Sequence, residues 1–381
     1  MVKICQKLEI GNGLMDNILV VNQGSARLKL SLFSVNQKIL KLISSFDVDG
    51  DIDEVLPRFT SKKIVGIGHR LVHGGFEFCM PTKIDSTVIQ HLEKYSEMAP
   101  LHNPICLKNI QECVLHFGSQ MLQIAVFDTA FHQSIPKKAS TYAIPYKMTL
   151  KHHIMAYGFH GIAHEALWNA YLQETKKKSA KVITVHLGGG CSITAISQGA
   201  SVDTSMGFTP LQGLMMETRS GDIDPGLLEY LCLKENKSIS EITKILNQDS
   251  GLLGVSGVTS KMKELLSVNG QEQANLAIEM FCYRIVKYIG AYIAILGGID
   301  ALIFSGGIGE NACQIRKCVV ETMQWYKVLL DVSENEKVVD LLPGEVRKIS
   351  DQSSLVDVFV IGSNENYWIA GQVFQYRKRA K

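Results

Sequence analysis

The sequence predicts an α/β protein of two domains, and three observations support this prediction. The chain has 381 residues, which is more than a single hydrophobic core usually serves, so two domains are expected. Short β-rich apolar segments alternate with segments of helical periodicity, as is typical of a mixed or parallel sheet covered by helices. A strand, a glycine-rich turn and a second strand occur at 19–33 and again at 182–196. This repetition indicates a duplicated fold.

The periodicity places the individual elements. Buried strands are predicted at 64–68, 123–127, 182–185, 301–305 and 358–361. Apolar residues between 278 and 296 recur at helical spacing and predict a long buried helix. We expect a first domain at 1–132, a second domain at 133–365, and a C-terminal helix at 366–381 that packs back on the first domain.

Glycine-rich turns follow three of the strands, in LVVNQGSARLKLSLF at 19–33, VITVHLGGGCSITAI at 182–196 and ALIFSGGIGEN at 301–311. A turn without Cβ atoms lets backbone amides approach phosphate oxygens. Three such turns predict a nucleotide held from several sides, clamped between the duplicated halves. Because 312–323 has helical spacing, the third turn is predicted as a strand, a turn and a helix capped near Glu310 and Asn311.

Composition excludes several classes of partner. The formal charge is +2, with 46% hydrophobic and 20% charged residues, so no strong field favours nucleic acid or an anionic membrane. Nine cysteines without a C-x-x-C pair indicate reduced thiols rather than disulfides or zinc. The N-terminal segment does not look like a signal peptide, and no apolar run is long enough to span a membrane. We therefore expect a cytoplasmic protein.

Polar residues concentrate in segments that follow predicted strands. These segments are GHRLVHGG at 68–75, FDTAFHQSIP at 127–136 and the aperiodic run 201–225, which is predicted to be a loop. Arginines and aspartates just past strand ends indicate one ligand-binding crevice along a sheet edge.

Together these runs resemble the acetate and propionate kinase family, part of the superfamily that includes actin and the sugar kinases. The resemblance extends from Asn17 to Ala370 and also includes APLHNP at 99–104, YGFHG at 157–161, TRSGDIDP at 218–225, SGLLGVSG at 250–257 and GGIGEN at 306–311. It implies a two-lobed, ribonuclease H-like duplicated fold with the nucleotide in the interlobe cleft, and a homodimer.

The resemblance also implies an activity, the reversible transfer of a phosphoryl group from ATP to a short carboxylate, giving an acyl phosphate and ADP, with Mg²⁺. Acetate is the expected substrate, with propionate or another short-chain acid as the alternative. A carboxylate with a pKa of about 4–5 is already ionised at neutral pH and needs no general base, so catalysis is positioning and charge neutralisation. Arg70 and Arg219 are therefore the expected catalytic groups, converging on the two anions.

Further roles follow from the resemblance. Asp128 would order Mg²⁺ and an arginine, Asn22 and Glu365 would bind the metal, and His160 would donate a hydrogen bond to the transferring phosphoryl group. The structural alternatives are helix capping for Asp128, the start of the last helix for Glu365 and a turn role for Asn22. Substrate contacts beside Arg70 are expected from Val72, Leu101, Phe159 and Pro210. Nucleotide contacts are expected from Ser25, Lys29, His186, Leu187, Gly188, Gly189, Gly190, Gly307, Ile308, Gly309 and Asn311.

Several positions depart from the usual family pattern. Arg27 replaces a small hydroxyl residue, Gly189 replaces asparagine, and Glu217 replaces a small residue, which places an extra negative charge near an anion site. Ile162, Ala163 and Asn366 also differ from the common residues. These departures keep open a catalytically impaired nucleotide-binding homologue. A sugar or glycerol kinase is the other alternative, but that chemistry needs a carboxylate base and leaves the two arginines unexplained.

Overall fold

The protein contains two β-sheets of the same topology. The structure is a computed structural model that describes residues 4–5, 15–24, 28–36, 39–48, 50–99, 102–268 and 270–379. The chain divides into a first unit, Met1–Phe131 with Asn364–Lys381, and a second unit, His132–Ser363. None of the helices in these described ranges has the length and apolar content needed to cross a bilayer.

The first unit contains a seven-stranded sheet in the order β1-β4-β3-β2-β5-β7-β6. Its strands are β1 (Ile4–Cys5), β2 (Asp16–Gln23), β3 (Leu28–Val35), β4 (Leu40–Val48), β5 (Ile64–Leu71), β6 (Thr82–Lys83) and β7 (Gln123–Phe127). Its α-helices are α1 (Ser86–Lys94), α2 (Asn103–Phe117) and α14 (Glu365–Arg379), and 3₁₀ turns lie at Ile52–Glu54, Leu56–Phe59 and Tyr95–Glu97. A further 3₁₀ turn, Ala130–Ser134, leads into the second unit.

The second unit contains a six-stranded sheet in the order β10-β9-β8-β11-β13-β12. Its strands are β8 (Lys181–Leu187), β9 (Cys191–Ser197), β10 (Ala200–Thr204), β11 (Ala301–Ser305), β12 (Val346–Lys348) and β13 (Asp357–Ile361). Its helices are α3 (Lys137–Ser140), α4 (Tyr146–His152), α5 (Gly161–Thr175), α6 (Pro225–Glu235), α7 (Ile239–Gln248), α8 (Gly251–Ser256), α9 (Met262–Leu265), α10 (Glu272–Leu296), α11 (Gly306–Asn311), α12 (Cys313–Thr322) and α13 (Val332–Lys337), with a 3₁₀ turn at Gln324–Tyr326.

The two sheets repeat one topology. In the first unit β2 pairs antiparallel with β3, β3 antiparallel with β4, and β2-β5-β7 run parallel. In the second unit β8, β9, β10, β11 and β13 take the corresponding places with the same orientations. The predicted two-lobed, duplicated α/β fold is therefore confirmed.

Both faces of the first sheet are covered, because successive residues of a strand point to opposite faces. Ile67 of β5 belongs to an apolar cluster with Leu19, Leu30, Phe59 and Cys113 of α2. On the other face, Cβ atoms added at 66 and 68 would meet the side chains at 369 and 373 within 3 Å. Glycines in β5 thus let helix α14 lie directly on the sheet.

The predicted buried strands and the long helix are confirmed. The strands predicted at 123–127 and 301–305 match β7 and β11 in full, and the helix predicted over 278–296 lies within α10. Of the loop predicted at 201–225, residues 205–224 form no helix or strand, but the prediction is wrong at both ends, because 201–204 belong to β10 and Pro225 begins α6. Helix α10 packs against α8 and β9, which buries its apolar stripe.

The strand and the helix predicted on either side of the third glycine turn are confirmed as β11 and α12, but the turn itself is wrong, because GGIGEN is a helix, α11. Gly306 has φ +79°, and a Cβ there would lie 2.6 Å from the Leu187 carbonyl oxygen, so glycine lets the chain pass directly from β11 into the helix. Helix α12 begins after Ala312 without a side-chain cap. Glu310 instead accepts hydrogen bonds from the backbone amides of Gly306 and Ser363, each at 2.9 Å.

Candidate active site

A buried ion pair lies at the ends of β5 and β7 in the first unit. Arg70 Nε donates to both Asp128 carboxylate oxygens at 3.2 and 3.1 Å, and a terminal guanidinium nitrogen of Arg70 donates to Oδ2 at 2.6 Å. The side chains are only 13% and 2% exposed. Parallel strands β5 and β7 bring the two residues together because both stand at carboxyl ends of the strands.

Asn22, at the end of β2, links this pair to helix α14. Its Oδ1 accepts from Arg70 at 3.3 Å, and its Nδ2 donates to Glu365 Oε2 at 3.3 Å and to Asn366 Oδ1 at 2.6 Å. We call Asn22, Arg70, Asp128 and Glu365 the arginine cluster. Burial alone lowers the pKa of Arg70, but the charges of Asp128 and Glu365 outweigh burial and raise it. Arg70 is therefore a permanent cation.

The arginine cluster offers an amide and two carboxylates, which are hard oxygen donors of the type Mg²⁺ prefers. Within the ranges that the structure describes, no three His, Cys, Asp or Glu side chains are grouped closely enough to hold a metal. The three oxygen donors of the arginine cluster would suit a metal that takes further ligands from water and from a bound substrate.

The second unit carries the glycine turn between β8 and β9, and this turn lines a cavity of about 740 Å³. Gly188 and Gly189 form one wall, and Gly307, Ile308 and Asn311 of α11 form another. The remaining lining includes Glu217, Lys261, Lys263 and Asp340. The second and third glycine motifs of the sequence thus line the same cavity, so that both could contact a single ligand.

His160 and Arg219 both lie against the same glycine turn. A Cβ added at Gly190 would be 3.3 Å from His160 Nε2 and 3.4 Å from a terminal nitrogen of Arg219. Glycine at 190 therefore gives the imidazole and the guanidinium access to the turn. Sequence reasoning assigned these three residues separately, and the fold brings them together.

The loop 205–224 holds Arg219 through both its backbone and its side chain. The Met216 amide donates to the Arg219 carbonyl at 3.0 Å, and the Asp222 carboxylate accepts from the Gly213 amide at 3.0 Å. The Arg219 guanidinium donates to the Pro210 carbonyl at 3.3 Å. These hydrogen bonds give the loop a defined conformation, and its one cationic side chain is Arg219.

Glu217 is neutralised by a residue that sequence reasoning missed. Lys261 Nζ lies 2.6 Å from Glu217 Oε2, with side-chain exposures of 57% and 20%. The same Glu217 oxygen lies 3.3 Å from where a Cβ at residue 189 would stand. The unusual glycine at 189 and the unusual glutamate at 217 therefore occupy adjoining space, and Lys261 supplies the compensating charge.

Other predicted site residues fall in both units. Lys29 is exposed on β3 opposite Asn22, and Val72 and Phe159 are buried. His186 stacks edge-on against His160 at 5.1 Å between ring centroids, and Gly309 lies in α11 beside Leu187. Ser25, Leu101 and the variant Arg27 lie outside the described residues. The convergence of Arg70 with Arg219 joins residues of different units and stays a prediction.

Two further residues make contacts in the site that the sequence analysis did not assign. Ser192 lies two residues after Gly190 and contacts two histidines. Asn366 follows Glu365 and connects Asn22 to Ser31 Oγ, to which it donates at 2.8 Å. The signal in the sequence that could have identified both residues is their position next to motif residues along the chain.

Comparisons with known proteins show which family the chain belongs to. The sequence model of the acetokinase family matches residues 50–371. An acetate kinase of Chloroherpeton thalassium is 42% identical over 340 residues, covering 85% of this chain and 81% of its own length. An acetate kinase of Acetivibrio thermocellus is 38% identical and covers 95% and 99%.

Solved structures give the same result. The crystal structure of Porphyromonas gingivalis acetate kinase matches with a TM-score of 0.84 and 34% identity, over 94% of this chain and 99% of that one. A propionate kinase from Francisella tularensis matches with a TM-score of 0.84 and 36% identity, over 95% and 100%. The resemblance found in the sequence is confirmed, and this chain belongs to the acetokinase family.

Proposed function

We propose that this protein is an acetate kinase, which transfers the γ-phosphoryl group of ATP to acetate and forms acetyl phosphate and ADP reversibly. The observation that carries the proposal is the meeting of His160 and Arg219 at Gly190, on a glycine turn that also lines a 740 Å³ cavity. Donors placed beside a phosphate-binding turn are what phosphoryl transfer requires. Family membership supports the same reaction.

The proposed mechanism is direct in-line transfer. The acetate oxygen is an anion at neutral pH and attacks without a base. Arg70 and Arg219 offset the repulsion between the carboxylate and the phosphoryl group, and His160 donates to a phosphoryl oxygen as its charge redistributes. Backbone amides of the 188–190 turn would hold phosphate oxygens.

Mg²⁺ is part of the proposal, with Asn22, Glu365 and Asp128 as the residues that would hold it directly or through water. When bound, the metal would neutralise phosphate charge. Arg70 fixes both carboxylate oxygens of Asp128, and Asn22 fixes Glu365, so these donors are oriented by hydrogen bonds inside the fold.

Substrate length is proposed to be set by Val72, Phe159 and Pro210, with Leu101. An apolar pocket distinguishes acids that differ by one methylene by only about 1–3 kcal/mol. Propionate is therefore the second candidate, and the match to a propionate kinase at a TM-score of 0.84 favours keeping it.

The test is the formation of acyl phosphate from ATP, trapped with hydroxylamine, with acetate, propionate and butyrate in parallel and with or without Mg²⁺. We expect the highest kcat/KM with acetate and no product without the metal. ATP binding without product from any of the three acids would contradict the proposal and favour an impaired homologue. Phosphorylation of glucose or glycerol would favour a sugar kinase instead.

Gly190 offers a specific test of this site. In Gly190→Ala the methyl group would lie 3.2–3.4 Å from His160 and Arg219, closer than side chains normally approach, so both donors must shift. A displacement of catalytic donors by a few tenths of an ångström is expected to lower kcat about tenfold or more. The matched control is Gly290→Ala in α10, away from the turn, where a Cβ would stand in open space among the described residues. Equal kcat values in the two variants would contradict the assignment.

The Glu217–Lys261 pair gives a prediction about ATP binding. Lys261→Met leaves the Glu217 carboxylate unpaired on the cavity wall, so repulsion of the phosphates is expected to raise KM for ATP about threefold to tenfold. Lys261→Met/Glu217→Gln removes both charges and is expected to restore KM. A double variant no better than Lys261→Met would show that the pair does not act through charge.

We also propose a homodimer in a reducing, cytoplasmic compartment. The cysteines whose side chains are described are free thiols, which suits such a compartment. Sedimentation velocity of the purified protein tests the dimer.

A further inference from the structure

A chain of hydrogen bonds runs from the candidate catalytic histidine into the core of the second unit. His160 Nδ1 lies 2.9 Å from Ser192 Oγ, and Ser192 Oγ lies 2.7 Å from His164 Nε2. His164 Nδ1 lies 2.7 Å from Thr184 Oγ1, whose hydroxyl donates to the Thr194 carbonyl at 3.5 Å. Ser192, His164 and Thr184 are completely buried. We call these four side chains, with His160 at the outer end, the histidine relay.

The direction of the protons in the relay is set at its inner end. A carbonyl oxygen can only accept, so the Thr184 hydroxyl proton points to Thr194 and Thr184 Oγ1 accepts from His164 Nδ1. Neutral His164 then presents a lone pair at Nε2 and accepts from the Ser192 hydroxyl. Ser192 Oγ in turn accepts from His160 Nδ1. This is the one direction in which all four hydrogen bonds are made.

His164 is held neutral, as the relay requires. Burial, followed by the proximity of His132 and His186, lowers its pKa well below the usual range of histidine. The two strands β8 and β9 contribute Thr184 and Ser192 in neighbouring positions, while α5 carries His164. These strands and this helix hold the three side chains at hydrogen-bonding distance from one another.

The outer end of the relay faces the glycine turn. His160 Nε2 and a terminal nitrogen of Arg219 both lie against Gly190, and the His186 ring lies 5.1 Å away between centroids. Among the described residues, Arg219 from the loop, His186 from β8 and, through Ser192, His164 from α5 are titratable or charged groups near His160.

We propose that Ser192 and His164 are positioning residues that hold His160 in the tautomer protonated at Nδ1, so that its Nε2 donates to a phosphoryl oxygen only when the ring is an imidazolium. This inference rests on the proposed function and specifies which protonation state carries it. The charged ring places a second cation beside Arg219, and the anionic phosphates of bound ATP stabilise it. The rate of acetyl phosphate formation then depends on the proton at Nε2.

The sign of the pH dependence follows. Below the pKa of His160 in the ATP complex, Nε2 carries a proton and donates. Above that pKa the relay keeps the remaining proton on Nδ1, and kcat falls about tenfold for each further pH unit. Without the relay, a neutral ring can carry its proton on Nε2 and still donate.

The experiment compares pH profiles of kcat, with acetate and ATP saturating, for the wild type, Ser192→Ala, Ser192→Thr and Thr184→Val. We expect the alkaline fall in the wild type and in Ser192→Thr, which keeps the hydroxyl. Ser192→Ala is expected to lower the maximal kcat about tenfold and to move the alkaline fall upward by at least one pH unit. Thr184→Val, three hydrogen bonds from His160, is expected to move it in the same direction. An alkaline fall that is unchanged in Ser192→Ala would overturn the inference.

A second measurement does not depend on turnover. Two-bond ¹H–¹⁵N correlations of ¹⁵N-histidine-labelled wild-type protein distinguish the two neutral tautomers, with His160→Gln used for assignment. A neutral His160 protonated at Nδ1 supports the relay, and one protonated at Nε2 overturns it. If no acetyl phosphate forms at any pH, the proposed function fails while this measurement still decides the tautomer.

Discussion

Arg219→Ala is expected to lower kcat by roughly a thousandfold, the size of effect seen when a phosphoryl-transfer enzyme loses its transition-state arginine. The side chain lies at Gly190 beside His160, where it faces the proposed phosphates. The hydrogen bond from the Met216 amide to the Arg219 carbonyl also holds the loop, and the substitution leaves this backbone bond in place. The variant should therefore fold, and ADP binding measured by calorimetry should change less than about threefold.

Two variants make the Arg219 result specific. Arg219→Lys keeps a positive charge but loses the planar fork, and we expect it to recover little of the lost kcat. Arg347→Ala removes an exposed arginine of the same unit that pairs with Glu345 at its surface, and it should leave kcat unchanged. An Arg219→Ala variant with wild-type kcat would refute the assigned role.

The buried pair of Arg70 and Asp128 supports the second large prediction, which concerns stability as well as activity. Arg70→Met leaves the Asp128 carboxylate, 2% exposed, without its cation. The free energy of unfolding is expected to fall by about 3–5 kcal/mol, because breaking a buried pair strands one charge. Urea titration followed by circular dichroism measures this loss.

Removing both charges separates stability from catalysis. Arg70→Met/Asp128→Asn is expected to be clearly more stable than Arg70→Met alone, since no charge is left stranded, while kinase activity stays absent in both. The control is Glu334→Gln, which breaks an exposed 2.7 Å pair with Lys337 and should cost less than about 1 kcal/mol. Equal losses of stability in Arg70→Met and Glu334→Gln would contradict the buried-pair interpretation.

Much of the fold was predictable because its signals are local. Residues 301–304 are a short, uninterrupted apolar run, and with Ser305 they form the buried strand β11. The stripe within 278–296 has helical spacing, and it lies in α10. The third glycine turn was misassigned because glycine is common both in loops and in the tight entry to a helix, and only the contact of Gly306 with Leu187 distinguishes the two.

The candidate site was predictable in its parts but not in its charge balance. From the sequence, Glu217 is expected to repel anions. A sequence motif shows the charge of this residue but not which residues lie next to it in the folded protein. In the structure Lys261, 44 residues away in sequence, lies 2.6 Å from Glu217. A single sequence carries no signal for such a long-range pair.

The amino-acid sequence by itself determined the α/β class, the duplicated strand and glycine-turn plan, and the family, because these depend on local periodicity and on runs of residues that stay together in the chain. Only the tertiary structure decided that Arg70 is locked to Asp128, that Lys261 neutralises Glu217, and that Ser192 joins His160 to His164. The reason is physical. Hydrogen bonds and ion pairs depend on distances of about 3 Å between side chains, and those distances are set by the packing of strands and helices that are remote from one another along the chain.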